Sequence, residues 1–376
     1  MAESPFDELP KEELIEQLAS GLGSDLKPCT PQSGLERYLD SIRSDITEGT
    51  IQEYATKLGR IVDFLKKQGI DDLRELDGRL LKDVAAWRRY ESSDQVDELS
   101  AKTMRDEMYL LRDWVRHLEE IEAVKPELSD SISIPELSND DGVRDVDLDP
   151  KRVERILHYL GKYEYATFEH VVWLLTVRTG RRTGCLLALD CDDVHIDGEE
   201  PYLEFNHRPE TGTRLKNDTK SEGHVSISKS DAEIIADYIE NARPDVTDDH
   251  DREPLLATSH GRASPSTIRR SIYKWSRPCE IGAGCPHDRD PDACEATQSA
   301  DHASKCPSSR SPHALKHGFI TEGRRRGVPI DVLSDRCDVS EEVIRKHYDE
   351  TSEEERCKVR RQILDEYSEE NGGGYL

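Results

Sequence analysis

Apolar residues recur at helical spacing through most of the chain, and polar caps or helix breakers bracket each such stretch. Leu35, Tyr38, Leu39 and Ile42 predict a first helix. Ile51, Tyr54, Leu58, Ile61 and Leu65 make a second stripe, opened by Thr50-Ile-Gln-Glu53 read as a capping box and closed by Gly69. A third helix is expected over 80–90. A fourth opens at Ser100 and carries Met104, Met108, Leu111, Val115 and Leu118 on one face. The segment 126–149 has two prolines, many Ser and Asp and no period, and reads as a linker.

Helical spacing resumes at Asp149-Pro150 and continues through 165–177. Alternation with period two appears only in 202–207 and 224–228, around a turn at Gly212, so strands are few. Helices follow over 231–242 and 264–275, with a short extended piece at 255–258. Ser311-Pro312 then opens a helix with Leu315 and Phe319 along one side, which Gly327 and Pro329 end. A short helix over 329–336, a turn at Cys337-Asp338 and a last helix capped by Ser340 lead to Tyr348. The expected fold class is mainly α with a small antiparallel β-sheet. Its parts are an acidic arm over 1–32, a helical domain over 33–125, the linker, and a second domain over 150–376.

Charge complicates this picture. The chain has 376 residues, 79 acidic against 52 basic, for a net charge of −27. A polyanion repels nucleic acid at ordinary ionic strength. At molar salt the Debye length falls to about 3 Å and that repulsion is screened, so an acidic surface fits a salt-adapted, halophilic protein. The first residues lack a basic region followed by an apolar core, and the longest apolar run, 171–177, is far short of a bilayer. Neither a signal peptide nor a membrane contact is predicted, and a cytoplasmic location is expected.

Four of the nine cysteines, Cys279, Cys285, Cys294 and Cys306, fall within one segment rich in Gly, Pro and Asp and poor in apolar residues. Such a segment has little core of its own, which favours a structural Zn²⁺ held by the four thiolates. Three cysteines with His287 or His302 are the alternative set, and plain reduced thiols the simplest reading.

The stretch His313-Ala-Leu-Lys316, then Cys337-Asp338, then Tyr348 resembles the second half of the tyrosine recombinase (phage integrase) family, which shows H-x-x-R, Gly-His and a nucleophilic Tyr. Thr179-Gly180-Arg181-Arg182 resembles the first-arginine box of that family, T-G-x-R, with Arg178 and Arg181 as rivals to Arg182. The strand pair at 202–228 is similar to the hairpin that presents a catalytic lysine; Lys220 fits best and Lys216 second. The resemblance implies a helical core-binding domain followed by an integrase-type catalytic domain. It further implies double-stranded DNA as partner, assembly as a dimer or tetramer on that DNA, and a C-terminal docking helix, here 352–368. Lys57, Arg60, Lys102, Arg105, Arg112 and Arg116 would meet phosphates.

By that resemblance Tyr348 attacks a phosphodiester to give a 3′-phosphotyrosyl link. Arg182 is the first clamp on the phosphate oxygens, His313 a proton shuttle or a further clamp, and Lys220 protonates the leaving oxygen, with neither metal nor ATP required for the chemistry. Two positions depart from the pattern. Lys316 replaces the second arginine and lacks its bidentate fork, with His317 beside it as a partial substitute. Asp338 replaces a His or Trp and brings a negative charge. A site-specific recombinase is thus the first expectation. A catalytically silent DNA-binding regulator and a type IB topoisomerase-like enzyme are the alternatives.

Overall fold

A computed structural model describes residues 26–92, 96–137 and 148–348, the side chains of 347 and 348 excepted, together with residues 357, 361 and 364. The chain divides into two compact units, Met1–Val143 and Arg144–Leu376. No helix among the described residues is long and apolar enough to cross a membrane.

The first unit is built from α1 (Pro31–Ile42), α2 (Glu48–Lys67), α3 (Gly78–Tyr90) and α4 (Ala101–Glu120). Their inward stripes meet in a core that includes Leu58, Leu65, Leu111, Trp114 and Leu118. Helix α2 starts earlier than the expected capping box. Thr47 is its cap, accepting from the Thr50 amide at 3.3 Å, and Glu48 then lies in the first turn, where the helix dipole favours a carboxylate. The ion pair Arg88–Glu107 (2.6 Å) is buried within this unit.

The expected linker needs correction in its first half. Leu128 and Ile132 are buried in the core of the first unit, and Glu119 accepts from the Ser129 amide at 2.6 Å. Two isolated apolar residues in a polar run suffice to fasten a segment without any periodicity. Leu148, near the other end, packs into the second core.

The second unit opens with α5 (Pro150–Tyr163), α6 (Phe168–Thr179) and α7 (Thr183–Ala188). An antiparallel sheet follows, ordered β1 (Val194–His195), β2 (Tyr202–Phe205), β3 (Gly223–Ser226), with Leu203 opposite Val225. Then come α8 (Lys229–Asp237), the two-stranded β4 (Ala257–Thr258) and β5 (Gly261–Arg262), and α9 (Pro265–Trp275). The unit ends in α10 (Pro312–Arg325), α11 (Ile330–Cys337) and α12 (Glu341–Tyr348). Helix α6 is apolar on nearly all sides, with Val171, Val172, Trp173, Leu174 and Leu175 buried, and forms the axis of this core. That accounts for its lack of amphipathic pattern.

The 279–306 segment is fastened by arginines. Arg277 donates to the Ala296 carbonyl at 2.5 Å and pairs with Glu280 inside the segment, while Arg152 joins its two flanks by donating to the Ser276 and Ser308 carbonyls. These charge-assisted bonds to backbone supply order that a small apolar core would otherwise give.

Candidate active site

Three elements of the second unit bring the candidate residues together, and a close backbone approach sets their spacing. Gly180 ends α6 in the left-handed conformation, φ 64°. A Cβ there would lie 2.7 Å from both Cys337 Sγ and Phe319 Cδ1, so only glycine lets the end of α6 meet α10 and α11. The next two arginines then diverge. Arg181 is buried, donating to the Ser221 carbonyl at 2.8 Å and the Asp335 carbonyl at 3.1 Å, with its guanidinium 4.8 Å from the Phe205 ring centroid. Arg182, the N-cap residue of α7, is partly exposed and pairs with Asp338. Arg178 lies outside this group, on Asp231 at 3.5 Å. Among the three rivals, only Arg182 is both solvent-accessible and at the site.

Helix α10 contributes His313 and Lys316 from its first two turns, opened by Ser311, whose hydroxyl accepts from the Ala314 amide at 3.2 Å. Lys316 is 4% exposed and donates from Nζ to the Cys337 carbonyl. Burial, reinforced by the nearby Arg182 guanidinium, pulls its ammonium down to about 8. His313 is held below its ordinary value by desolvation and then by the charges of His317, Lys316, Arg182 and Lys216. Lys216, in the β2–β3 connection, is thus within electrostatic reach of His313. Lys220 sits on the 3-10 turn Asp218–Ser221, exposed. It lines a polar cavity of about 440 Å³ together with Arg181, His224, Arg336 and Asp338.

Asp338 ends α11 with φ 51° and is 9% exposed. Besides Arg182 it accepts from Asn217 Nδ2 at 2.9 Å and from Ser221 Oγ at 2.8 Å. Its carboxylate is thus turned to side-chain donors from two other segments. Asn217 and Ser221 carried no sequence signal: both are common loop residues, and their partner lies more than a hundred positions away. Tyr348 is the last residue of α12. That helix is anchored by Ile344, which is buried in a small core with Ile320, Leu333, Cys337 and Val339. The Tyr348 side chain and most of the expected docking helix over 352–368 lie outside the described residues.

The β2–β3 connection is tied down by charge. Arg208 binds Asp193 at 2.6 Å, and Arg252 donates to the Thr211 carbonyl and the Thr213 hydroxyl, each at 2.9 Å. Asp248 accepts from Arg252 at 3.0 Å and Arg262 at 2.6 Å. Burial alone would raise the Asp248 carboxyl, but those bonds hold it well below the usual carboxylate range.

Among the described residues no three His, Cys, Asp or Glu side chains converge as a metal ion requires. Cys279 and Cys306 are within electrostatic reach of each other, while His287 contacts Ser308 Oγ at 2.8 Å. Cys279, Cys285, Cys294 and Cys306 are thus not gathered around one point among the described residues.

No protein-family model matches this sequence, and no curated protein matches it. Solved structures do. An integrase of the Tn1549 transposon, in complex with a circular intermediate DNA, superposes with a TM-score of 0.59 at 15% identity, covering 88% of this chain and 99% of that one. A lambda integrase dimer bound to a COC′ core site gives 0.57 at 15% identity, covering 92% and 82%. XerH recombinase bound to its difH substrate gives 0.56 at 13%, covering 96% and 91%. The fold is that of the tyrosine recombinases. Within that integrase fold, the mainly helical architecture with small antiparallel sheets agrees with the sequence expectation. Arg182, His313, Lys316 and Asp338 lie where α7, α10 and α11 meet.

Proposed function

We propose that this protein is a site-specific DNA recombinase that breaks and rejoins double-stranded DNA through a 3′-phosphotyrosyl intermediate. The observation that carries the reading is that Arg182 and Lys316 both reach the 337–338 corner, with His313 one turn before Lys316 and the helix that ends in Tyr348 packed by Ile344 onto the same α10–α11 pair. In the cleavage step the Tyr348 oxygen forms a bond to phosphorus as the bond from phosphorus to the 5′-oxygen breaks. The phenolic proton leaves by way of His313, and the departing 5′-oxygen takes a proton from Lys220. Rejoining runs the same steps backwards with a 5′-hydroxyl from another strand. The energy of the phosphodiester is kept in the tyrosyl ester, so no nucleotide cofactor is consumed. Negative charge on the non-bridging oxygens is met by fixed cations in a partly desolvated site, where each is worth more than in water.

In the first unit, Arg105 and Arg112 flank Tyr109, their guanidinium carbons 5.6 and 4.9 Å from its ring centroid, and are assigned to the DNA backbone. Lys57 and Arg116 are already paired with Glu53 and Asp113. The solved relatives include a dimer and a tetramer on DNA, and an oligomer on DNA is proposed here too. A second reading, a DNA-binding regulator without cleavage, is favoured by the pairing of Arg182 with Asp338 and by the burial of Lys316.

The test is incubation with a nicked suicide duplex in concentrated KCl. A covalent protein–DNA adduct that disappears in Tyr348→Phe, with duplex binding intact, supports the recombinase. Binding without adduct in the wild-type protein supports the regulator instead.

A further inference from the structure

Asp338 is the feature that the chemistry above leaves without a task. A carboxylate beside a phosphate site opposes the substrate unless it is engaged elsewhere. This one is engaged completely: Oδ2 accepts from Arg182 and from Ser221 Oγ at 2.8 Å, and Oδ1 accepts from Asn217 Nδ2 at 2.9 Å. All three donors are side chains, from the start of α7 and from the turn that carries Lys220. A residue that merely ended α11 would have no need of them, since the left-handed conformation at φ 51° already closes that helix with the Val339 amide bonded to the Ser334 carbonyl at 3.1 Å.

Resting on the recombinase-fold reading, we propose that Asp338 is a positioning residue for the reaction. Its carboxylate fixes the guanidinium of Arg182 in one rotamer and ties the Lys220 turn to the same point. The phosphate clamp and the proton donor are thereby held in register with the chain that enters the Tyr348 helix. Ser221 makes the tie rigid from both sides: its hydroxyl binds Asp338 while its carbonyl accepts from buried Arg181 at 2.8 Å. One edge of Arg182 is used by Asp338, and the other donors of its five remain for phosphate. Preorganised donors cost no rearrangement during the reaction, whereas displacement by about 1 Å can cost on the order of 10²-fold in rate.

The experiment is a two-by-two comparison of wild type, Asp338→Ala, Arg182→Ala and the double variant. Each is followed by single-turnover adduct formation on the suicide duplex, by duplex affinity at the same KCl, and by thermal melting. Asp338→Ala is expected to slow adduct formation on the order of 10²-fold with affinity changed less than about threefold. In the Arg182→Ala background it should have little further effect, because it acts through that arginine. A rate equal to or above wild type in Asp338→Ala, or additive losses in the double variant, overturns the proposal. Should wild type bind the duplex and form no adduct, the cleavage reading fails and this inference falls with it; an adduct in wild type together with additive losses in the double variant overturns this inference alone.

Discussion

Lys316 donates from Nζ to the carbonyl of Cys337, the residue immediately before Asp338. Lys316 is thereby anchored to the helix end that also places Asp338. Its ammonium is drawn down to about 8 by burial and by Arg182, which sets a pH dependence. The charged form is the one that stabilises phosphate, so adduct formation should hold steady below about 8 and fall as pH rises through that value. Folding stability should move the other way. The unfolded lysine keeps its proton to a higher pH than the folded one, so between about 8 and the ordinary lysine range the unfolded state binds more protons and stability rises with pH. Lys316→Arg is expected to abolish the falling limb and, by restoring a bidentate fork, to raise the rate about tenfold or more. Stopped single-turnover assays from pH 6 to 10 check this; an unchanged limb in Lys316→Arg would assign it to another group.

Arg181 and Arg182 are neighbours in sequence with separate partners, and stability measurements should separate them. Arg181 is buried and bonded to two carbonyls from distant segments. Arg181→Ala leaves the Ser221 carbonyl without its donor and the Asp335 carbonyl with only the Asp338 amide at 3.4 Å, and is expected to cost about 2–4 kcal/mol of unfolding free energy. Arg182→Ala leaves Asp338 with two neutral donors and should cost about 1 kcal/mol, yet should lose adduct formation by 10² or more. Urea denaturation of both variants, set beside their cleavage rates, gives the comparison.

Gly180 offers a test of the close approach. Alanine there must hold φ near 64° and place its Cβ 2.7 Å from Cys337 Sγ and Phe319 Cδ1. Left-handed strain and overpacking together should cost about 2–5 kcal/mol. Because α11 takes the displacement and ends at Asp338, cleavage should fall further than the fraction of folded protein does. Melting temperature and the rate per folded molecule distinguish the two effects.

Much of this arrangement was legible in the chain, for identifiable reasons. Ser100, Ser264 and Ser311 cap the helices that their positions predicted, because a hydroxyl before an apolar stripe has few other uses. The strand pairing at 202–226 followed from alternation. What escaped was long-range. Nothing in Thr-Gly-Arg-Arg says which arginine is buried; the carbonyls of Ser221 and Asp335 decide it. The Asp338 node joins residues 117 to 156 positions apart, which no local pattern encodes. The 126–137 segment looked like linker because Leu128 and Ile132 are too few to show a period, and the cysteine segment is held by Arg277 from its flank while Arg152 joins the residues on either side of it.

Two lysines flank the site from the β2–β3 connection, and leaving-group chemistry tells them apart. Lys220 shares a cavity with Asp338, whereas Lys216 lies within electrostatic reach of His313. A general acid matters only when the departing group is a poor one. Replacing the bridging 5′-oxygen of the scissile phosphate with sulfur gives a thiolate that departs unaided, since a thiol is far more acidic than an alcohol. Lys220→Ala is therefore expected to slow cleavage of ordinary DNA by 10²–10⁴-fold and to regain nearly wild-type rate on the sulfur substrate. Lys216→Ala, which removes a cation near His313, should lose about equally on both substrates. Rescue of Lys216→Ala and not of Lys220→Ala would exchange the two assignments and move the proton donor to the His313 side of the site.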